Sequence, residues 1–378
     1  MLYFPIAVVS YLLLFAYILL LLYYLYHLNK HPDLPADNHN SYTPFVSIII
    51  AGRNEEENIK NCLESIFANS YPITRYEVIY VDDHSEDRSV QILKNIKFDN
   101  FKWYALKDFL PGDKHINSYK KEALALALSK AKGDIIIQTD ADVTVQSGWI
   151  SSFVKRYDDN TVLITAPVLI REQDNSGLLY RFQRYDLLTT MGITAAGIYS
   201  KLHFLANGAN MSYRKKVVDN QNNYKKYASG DDMFLIQTLA LRNPEGIAFL
   251  KDKNAIVYTQ AEKNIKSFFM QRLRWASKTT AYPDKKLKLV VILVFLVNLL
   301  FLSKVFLLPF APLCAITFII IKTTADVFFV ISVNKHFQQK INPIYLILSL
   351  LLYPVFFVTT GTLSLLIKKY YWKGRKVR

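Results

Sequence analysis

Four long apolar runs bracket a region of shorter, alternating ones. The first, 6–28, carries no Asp, Glu, Lys or Arg and is 23 residues long, enough for a helix to cross the hydrocarbon core of a bilayer. It lacks the basic start and small-residue cleavage site of a signal peptide and is expected to remain as an anchor. Three more runs, 289–308, 313–333 and 343–367, lie near the C-terminus, with Pro309 and Pro312 separating the first two. Lys322 and Asp326 are four apart and share a helix face. Either they pair inside a helix bundle or Lys322 snorkels to the interface.

Between these runs, 45–285 alternates strand and helix patterns. Val- and Ile-rich strands are predicted at 45–51, 76–82 and 134–139. Helical spacing, as in Ile59, Leu63, Ile66 and Phe67, predicts helices over 55–69 and 118–130. The alternation predicts an α/β fold with a mostly parallel sheet and helices on both faces. Ligands of such sheets bind beyond the carboxyl ends of the strands. The segment 180–204 is expected either as a buried helix or as an interfacial one that presents a lipid.

Composition sharpens this picture. Half of the 378 residues (51%) are apolar and 20% are charged, which excludes a disordered chain. The two cysteines, Cys62 and Cys314, give neither a disulfide framework nor a zinc spacing. The net charge is +15, but thirteen Lys and Arg against one acid fall after Asp284. The basicity therefore flanks apolar segments and is a membrane feature, not a nucleic-acid footprint. Lys30 and the basic run at 285–288 favour a cytoplasmic middle region. Three later crossings would then put the tail 368–378, with six Lys and Arg, outside. That conflict predicts that one C-terminal run is re-entrant or interfacial, with the run holding Pro354 and Gly361 as the candidate.

Polar clusters sit where the strand patterns end. They are Arg53-Asn54-Glu55, Asp82-Asp83-His84-Ser85 and Asp140-Ala141-Asp142. Each alone also suits a loop or a helix N-cap. Three at three strand ends carry more information. Two carboxylates one residue apart can face a divalent cation, and Mg²⁺ or Mn²⁺ prefers hard oxygen ligands shared with substrate phosphates. Such an ion neutralises charge on a departing diphosphate. An earlier acid can accept hydrogen bonds from a base or ribose. No Walker loop and no Gly-rich dinucleotide fingerprint is present. Further on come Asn207-Gly208-Ala209-Asn210, then Asp231-Asp232, then Gln271-Arg272-Leu273-Arg274-Trp275. Alone, the acid pair reads as a helix start and the last group as an interfacial anchor.

Taken together, VDDHSED (81–87), KKEALALALSKAKGDIIIQTDADV (120–143), NGANMSYRK (207–215), SGDDMFL (229–235) and QRLRW (271–275), preceded by Arg53-Asn54-Glu55, resemble the membrane-bound family 2 glycosyltransferases of GT-A fold. The resemblance covers about 45–285 and the layout of helices on either side. It implies an anchor at 1–30, a cytoplasmic catalytic domain over 31–285, and a membrane domain of about three helices with a basic tail over 286–378. It further implies that Arg53, Glu55, Asp82, Asp83 and one of Lys120 and Lys121 hold the donor, that Asp140 and Asp142 meet a metal–diphosphate, and that Asp232 or Asp231 is the general base. Gln271, Arg272, Arg274 and Trp275 would shape the acceptor and diphosphate end. Two positions depart from the family pattern: Ala125 stands where Asn is frequent, and His84 where Gly is frequent.

The implied reaction is transfer of a sugar, with inversion, from a nucleotide-diphospho-sugar to a lipid or lipid-linked acceptor at the cytoplasmic face of the inner membrane. UDP is the family's commonest nucleotide and GDP the next. A processive polysaccharide synthase is the first alternative; with three C-terminal runs there are few helices to build a polar channel. A non-catalytic nucleotide-sugar-binding membrane protein is the second.

Overall fold

The computed structural model describes residues 3–31, 43–110, 118–174, 176–218, 231–367, 370–372 and 375–377. Its helices are α1 (Tyr3–Lys30), α2 (Ile59–Phe67), α3 (Ser89–Asn95), α4 (Tyr119–Lys130), α5 (Trp149–Arg156) and α6 (Leu178–Tyr199), then α7 (Asp231–Arg242), α8 (Ile265–Ala276), α9 (Lys285–Leu307), α10 (Pro312–Phe337) and α11 (Pro343–Leu366). The strands are β1 (Val46–Gly52), β2 (Tyr76–Asp82), β3 (Phe101–Ala105), β4 (Ile135–Asp140), β5 (Leu163–Thr165) and β6 (Val168–Ile170). They continue with β7 (Asn210–Arg214), β8 (Ile247–Phe249), β9 (Val257–Thr259), and a terminal pair, β10 (Tyr370–Trp372) and β11 (Arg375–Val377).

The chain divides into two compact units. One, an α/β unit, comprises Pro32–Arg171, Leu205–Gln260 and Lys369–Arg378. The other, a helical unit, comprises Met1–His31, Glu172–Phe204 and Ala261–Lys368. The segment 31–285, expected as one domain, is thus shared between them, because α6 and α8 bury apolar faces against the long helices.

In the α/β unit the described residues form a seven-stranded sheet of order β3-β2-β1-β4-β7-β5-β8. Pairing is parallel except for β7, which runs against both of its neighbours, β4 and β5. Every residue of β1 and β2 is buried, as expected of central strands covered on both faces. The predicted strand boundaries shift by one residue in β1 and β4. The helix expected over 55–69 begins only at Ile59. The reason is local: the amides of Asn54, Glu55 and Glu56 are taken by Ser85 Oγ, Ser89 Oγ and Asp87 Oδ2 at 2.8–3.0 Å. Those bonds fold the start of the predicted helix into a turn against the loop after β2. From there Ile59, Cys62, Leu63 and Ile66 are buried at helical spacing. Helix α4 packs on β1 and β2 through Ala123, Leu124 and Ala127. A second, two-stranded sheet joins β6 and β9 in parallel.

In the helical unit, α1 (from Ala7), α9, α10 and α11 are each long and apolar enough to cross a membrane. Their ends carry explicit signals. Asp284 caps α9 by accepting from Leu287 N at 3.0 Å. Pro312 and Pro343 open α10 and α11, positions where the missing N–H costs nothing. Gln338, in the left-handed region at φ 52°, ends α10. Helix α11 runs unbroken through Pro354 and Gly361, so these residues do not interrupt the run that holds them. Helix α6 packs against α1, α10 and α11. At Gly192 a Cβ would lie 2.5 Å from Val333 Cγ1, so the missing side chain lets α6 approach α10. Phe182, Phe268 and Phe356 join α6, α8 and α11, with the rings of Phe268 and Phe356 stacked at 4.8 Å. Lys322 Nζ lies 2.7 Å from Asp326 Oδ2 and both are buried. This is the bundle-interior pairing of the two sequence readings. Side chains of the tail 368–378 lie outside the described residues.

Candidate active site

The register of the sheet brings the predicted polar clusters level with one another. Gly52 pairs with Asp82, and Ala51 with Asp140. Three consecutive strands therefore end side by side, and Arg53, Glu55, Asp83 and Asp142 project from the turns just beyond.

Arg53 is almost fully buried and works within the loops. Its guanidinium donates to the carbonyls of Asp83 (3.1 Å) and His84 (2.5 Å) and pairs with Glu86 Oε1 at 2.8 Å. It ties the end of β1 to the loop after β2, and that wall holds the acids in place. Asp82 accepts Ser85 N at 3.1 Å through Oδ2. Its Oδ1 is buried with no partner among the described residues, a costly state unless a ligand donates to it. Asp83 is buried and meets His84 Nδ1 at 3.0 Å. His84 itself sits at φ 55°. Glycine adopts that conformation without strain, so His84 holds a backbone geometry that favours glycine. Glu55 is buried and accepts Asn58 Nδ2 at 3.1 Å.

At the end of β4, Lys120 Nζ donates to Asp140 Oδ1 at 2.6 Å, with both side chains about a third exposed. Of the two lysines the sequence left open, Lys120 is seen to reach the Asp140 carboxylate. Beneath them lies Cys62, whose Sγ contacts the Asp140 carbonyl at 3.6 Å. Burial pushes its thiol pKa up, and the carboxylates of Asp142, Glu55 and Asp140 push it further. Cys62 is thus a buried, neutral floor beneath them. Tyr80 is a second element that sequence reasoning did not single out. Its buried hydroxyl fills the space over Gly52, where a Cβ would lie 1.8 Å from it. Burial, then Glu55 and Asp82, raise its pKa well above the usual phenol value.

The fourth acid arrives from the antiparallel strand. Thr139 pairs with Asn210, and Thr139 Oγ1 donates to the Ala209 carbonyl at 2.7 Å. Asn210 is a buried hub, accepting from Trp149 Nε1 (2.9 Å) and donating to the carbonyls of Pro167 and Ala255 (2.7 Å each). Two residues earlier, Gly208 N donates to Asp232 Oδ2 at 2.8 Å, while Met233 N donates to Oδ1 at 2.8 Å. Both oxygens of Asp232 are thus oriented by backbone at the first turn of α7. A Cβ on Gly208 would lie 2.9 Å from Gln138 Nε2 and 3.4 Å from Asp232 Oδ2, so the glycine permits this approach. Asp231 opens α7; its side chain, like Ser229 and Gly230, lies outside the described residues.

The residues 271–275 belong to the helical unit, on α8. Gln271 Nε2 donates to Glu262 Oε1 at 2.9 Å. Arg272 pairs with Asp186 at 2.7 Å, donates to Gln271 Oε1, and stacks on Trp275 with its guanidinium 4.1 Å from the ring centre. Arg274 and Trp275 occupy the last turn and are half-buried.

A divalent ion fits Asp140 and Asp142 by donor chemistry, since both are carboxylates beside a cluster of further oxygens. Among the described residues no three His, Cys, Asp or Glu are grouped to hold a metal alone. Oxygens of a bound phosphate would have to complete the shell, as Mg²⁺ and Mn²⁺ commonly require.

Comparison with known proteins bears on the family and the fold. The family model for Glycosyl transferase family 2 matches residues 47–221. Residues 47–221 are a family 2 glycosyl transferase segment. Glycosyltransferase AglE of Haloferax volcanii is 28% identical over 196 residues, covering 51% of this chain and 60% of that protein. Beta-monoglucosyldiacylglycerol synthase of Trichormus variabilis is 32% identical over 119 residues, 32% of this chain and 25% of the other. The glycosyl transferase match therefore spans only part of each relative. Among solved structures, mannosyltransferase PcManGT from Pyrobaculum calidifontis, in complex with GDP-Man and Mn²⁺, superposes with a TM-score of 0.58 at 16% identity, covering 96% of this chain and 98% of that one. The fold is GT-A, a mostly parallel α/β sheet with one apolar helix before it and three after it.

Proposed function

We propose that the chain is an inverting glycosyltransferase that moves a sugar from a nucleoside-diphospho-sugar to a lipid or lipid-linked acceptor at the cytoplasmic face of the membrane. What carries this is the convergence at one sheet edge. A carboxylate with a buried oxygen that has no partner among the described residues (Asp82), a carboxylate pair beside a lysine (Asp140, Asp142 and Lys120) and a backbone-oriented carboxylate (Asp232) gather there. The family of 47–221 and the membrane-capable helices support the same reaction class.

Each residue then has a task. Asp82, Asp83 and Glu55 accept hydrogen bonds from the nucleoside, and Arg53 stiffens the wall that carries them. Asp140 and Asp142 would hold Mg²⁺ or Mn²⁺, which supplies positive charge to the leaving diphosphate. Lys120, already 2.6 Å from Asp140, adds a cation at the same place. Asp232 takes the proton from the acceptor hydroxyl as its oxygen bonds to the anomeric carbon and the bond to the diphosphate breaks. One base and one displacement invert the centre. Gln271, Arg274 and Trp275 are assigned to the acceptor and diphosphate end, with Arg272 as the residue that fixes Gln271 and Trp275.

The test is nucleoside-diphosphate release by the full chain in native membranes. UDP-glucose, UDP-galactose, UDP-GlcNAc and GDP-mannose are offered with Mn²⁺ and with chelator. Metal-dependent release from one donor, lost in Asp142→Asn, is the expected result, with UDP donors expected ahead of GDP. Release that is indifferent to both chelator and Asp142→Asn contradicts the assignment.

A further inference from the structure

Arg184 lies on α6 with only 4% of its surface exposed. Its Nε and Nη1 are buried and meet no hydrogen-bond acceptor among the described residues. Among the described residues its one hydrogen bond is long, from Nη2 to Gln339 Oε1 at 3.4 Å. A guanidinium is always charged, and burying one without a counter-charge costs several kcal/mol.

The neighbouring carboxylates are engaged elsewhere. Asp186 pairs with Arg272 at 2.7 Å, Glu172 with Lys340 at 3.8 Å, and the Glu262 carboxylate accepts from Gln271 at 2.9 Å. Further cations share the region. Arg181, one turn earlier on α6, lies 4.8 Å over the Tyr345 ring and donates to the Ser176 carbonyl. Lys340 is exposed in the turn between α10 and α11. The Ser176 hydroxyl is also buried with no partner among the described residues.

Position tells which anion belongs here. Helices α10 and α11 are both long and apolar enough to cross a membrane. When they span, the turn that joins them lies at the bilayer boundary, where lipid phosphates sit. Arg184 touches that turn through Gln339, and its neighbour Tyr185 is fixed to the same turn, its hydroxyl accepting from Asn342 N at 3.0 Å. Guanidinium is the side chain that matches phosphate in a bidentate way.

We propose that Arg184, with Arg181 and Lys340, binds the headgroup phosphate of a membrane lipid, with Gln339 moving aside to admit it.

The experiment is thermal unfolding of delipidated full-length protein in detergent. The additions are phosphatidylglycerol, diacylglycerol or inorganic phosphate, for wild type, Arg184→Met and, as a control, the exposed Arg242→Gln. Phosphatidylglycerol is expected to raise the midpoint of wild type and Arg242→Gln by about 3–5 °C. Neither of the other additions should, and Arg184→Met should show no shift. An equal shift in Arg184→Met overturns the site. A shift with inorganic phosphate equal to that with the lipid overturns the lipid as its source. Native mass spectrometry of wild type alone is a readout that does not depend on the variant folding. Retention of phosphatidylglycerol under conditions that strip diacylglycerol is expected, and equal retention of the two contradicts the proposal.

Discussion

Lys120 Nζ lies 2.6 Å from Asp140 Oδ1, so the first turn of α4 reaches the last residue of β4. In the absence of substrate the lysine neutralises one acid of the Asp140–Asp142 pair. With a nucleotide-sugar present, the same cation serves its phosphates. Lys120→Met is therefore expected to raise the donor KM and lower kcat/KM by about 10–100-fold, the scale of losing one charge-assisted contact of about 1.5–3 kcal/mol. Lys121→Met should stay within about threefold of wild type. Steady-state kinetics with the identified donor compare the two.

Gly208 is the second point of leverage. Its amide holds Asp232, and a methyl there would press on Gln138 Nε2 at 2.9 Å and on the Asp232 carboxylate at 3.4 Å. Gly208→Ala should leave nucleotide binding intact and lower kcat about 10–100-fold by displacing the base from its geometry. Nucleotide titration alongside turnover separates the two effects. A fall in affinity with unchanged kcat would place Gly208 at the donor instead.

His203 gives the helical unit a pH dependence. It is fully buried, with Nε2 2.6 Å from Tyr24 Oη. Burial lowers its pKa from 6.5 to about 4, against a smaller opposite pull from Asp284. The unfolded chain therefore takes up a proton that the folded one refuses between pH 6.5 and 4. Stability is full above about pH 6.5 and declines as pH falls toward 4, by up to about 1.4 kcal/mol per pH unit. Thermal midpoints at pH 7.5 and 5 should differ more for wild type than for His203→Gln. Equal differences would contradict this assignment.

Lys322, Asp326 and Tyr17 form a buried triad, with Tyr17 Oη donating to Asp326 Oδ1 at 2.7 Å and Lys322 2.7 Å from the other oxygen. Removing one charge strands the other. Asp326→Asn is expected to destabilise by about 3–5 kcal/mol, while the double change Lys322→Met with Asp326→Leu recovers most of the loss. Unfolding measurements on Lys322→Met, Asp326→Leu and the double close the cycle. Additive losses would mean the pair is not coupled.

Much of this was legible in the sequence because it depends on local pattern. Buried parallel strands read as continuous apolar runs, so β2 was placed to the residue and β1 and β4 to within one. The acids at the strand ends followed from where those runs stop. What was not legible depends on contacts far apart in the chain. Ser85, Asp87 and Ser89 capture the amides of 54–56 and delay α2, which helical periodicity cannot register. Lys120 and Lys121 are equivalent as letters; the contact of Lys120 with Asp140 is a tertiary one that no local pattern shows. The bonds from Arg53 to the carbonyls of Asp83 and His84 also depend on residues 30 or more apart. Helices α6 and α8 join the long helices through aromatic packing, although they lie inside the stretch whose alternation predicted one domain. Tyr80 and Cys62 underlie the acids without any motif to mark them.

The central claim is that Asp232 is the base of a sugar transfer. The most direct measurement is nucleoside-diphosphate release by Asp232→Asn beside wild type, in the same membranes and with the same donor, together with equilibrium nucleotide binding. A loss of release of about 100–10,000-fold with binding kept is expected. Release near the wild-type rate in Asp232→Asn would contradict it.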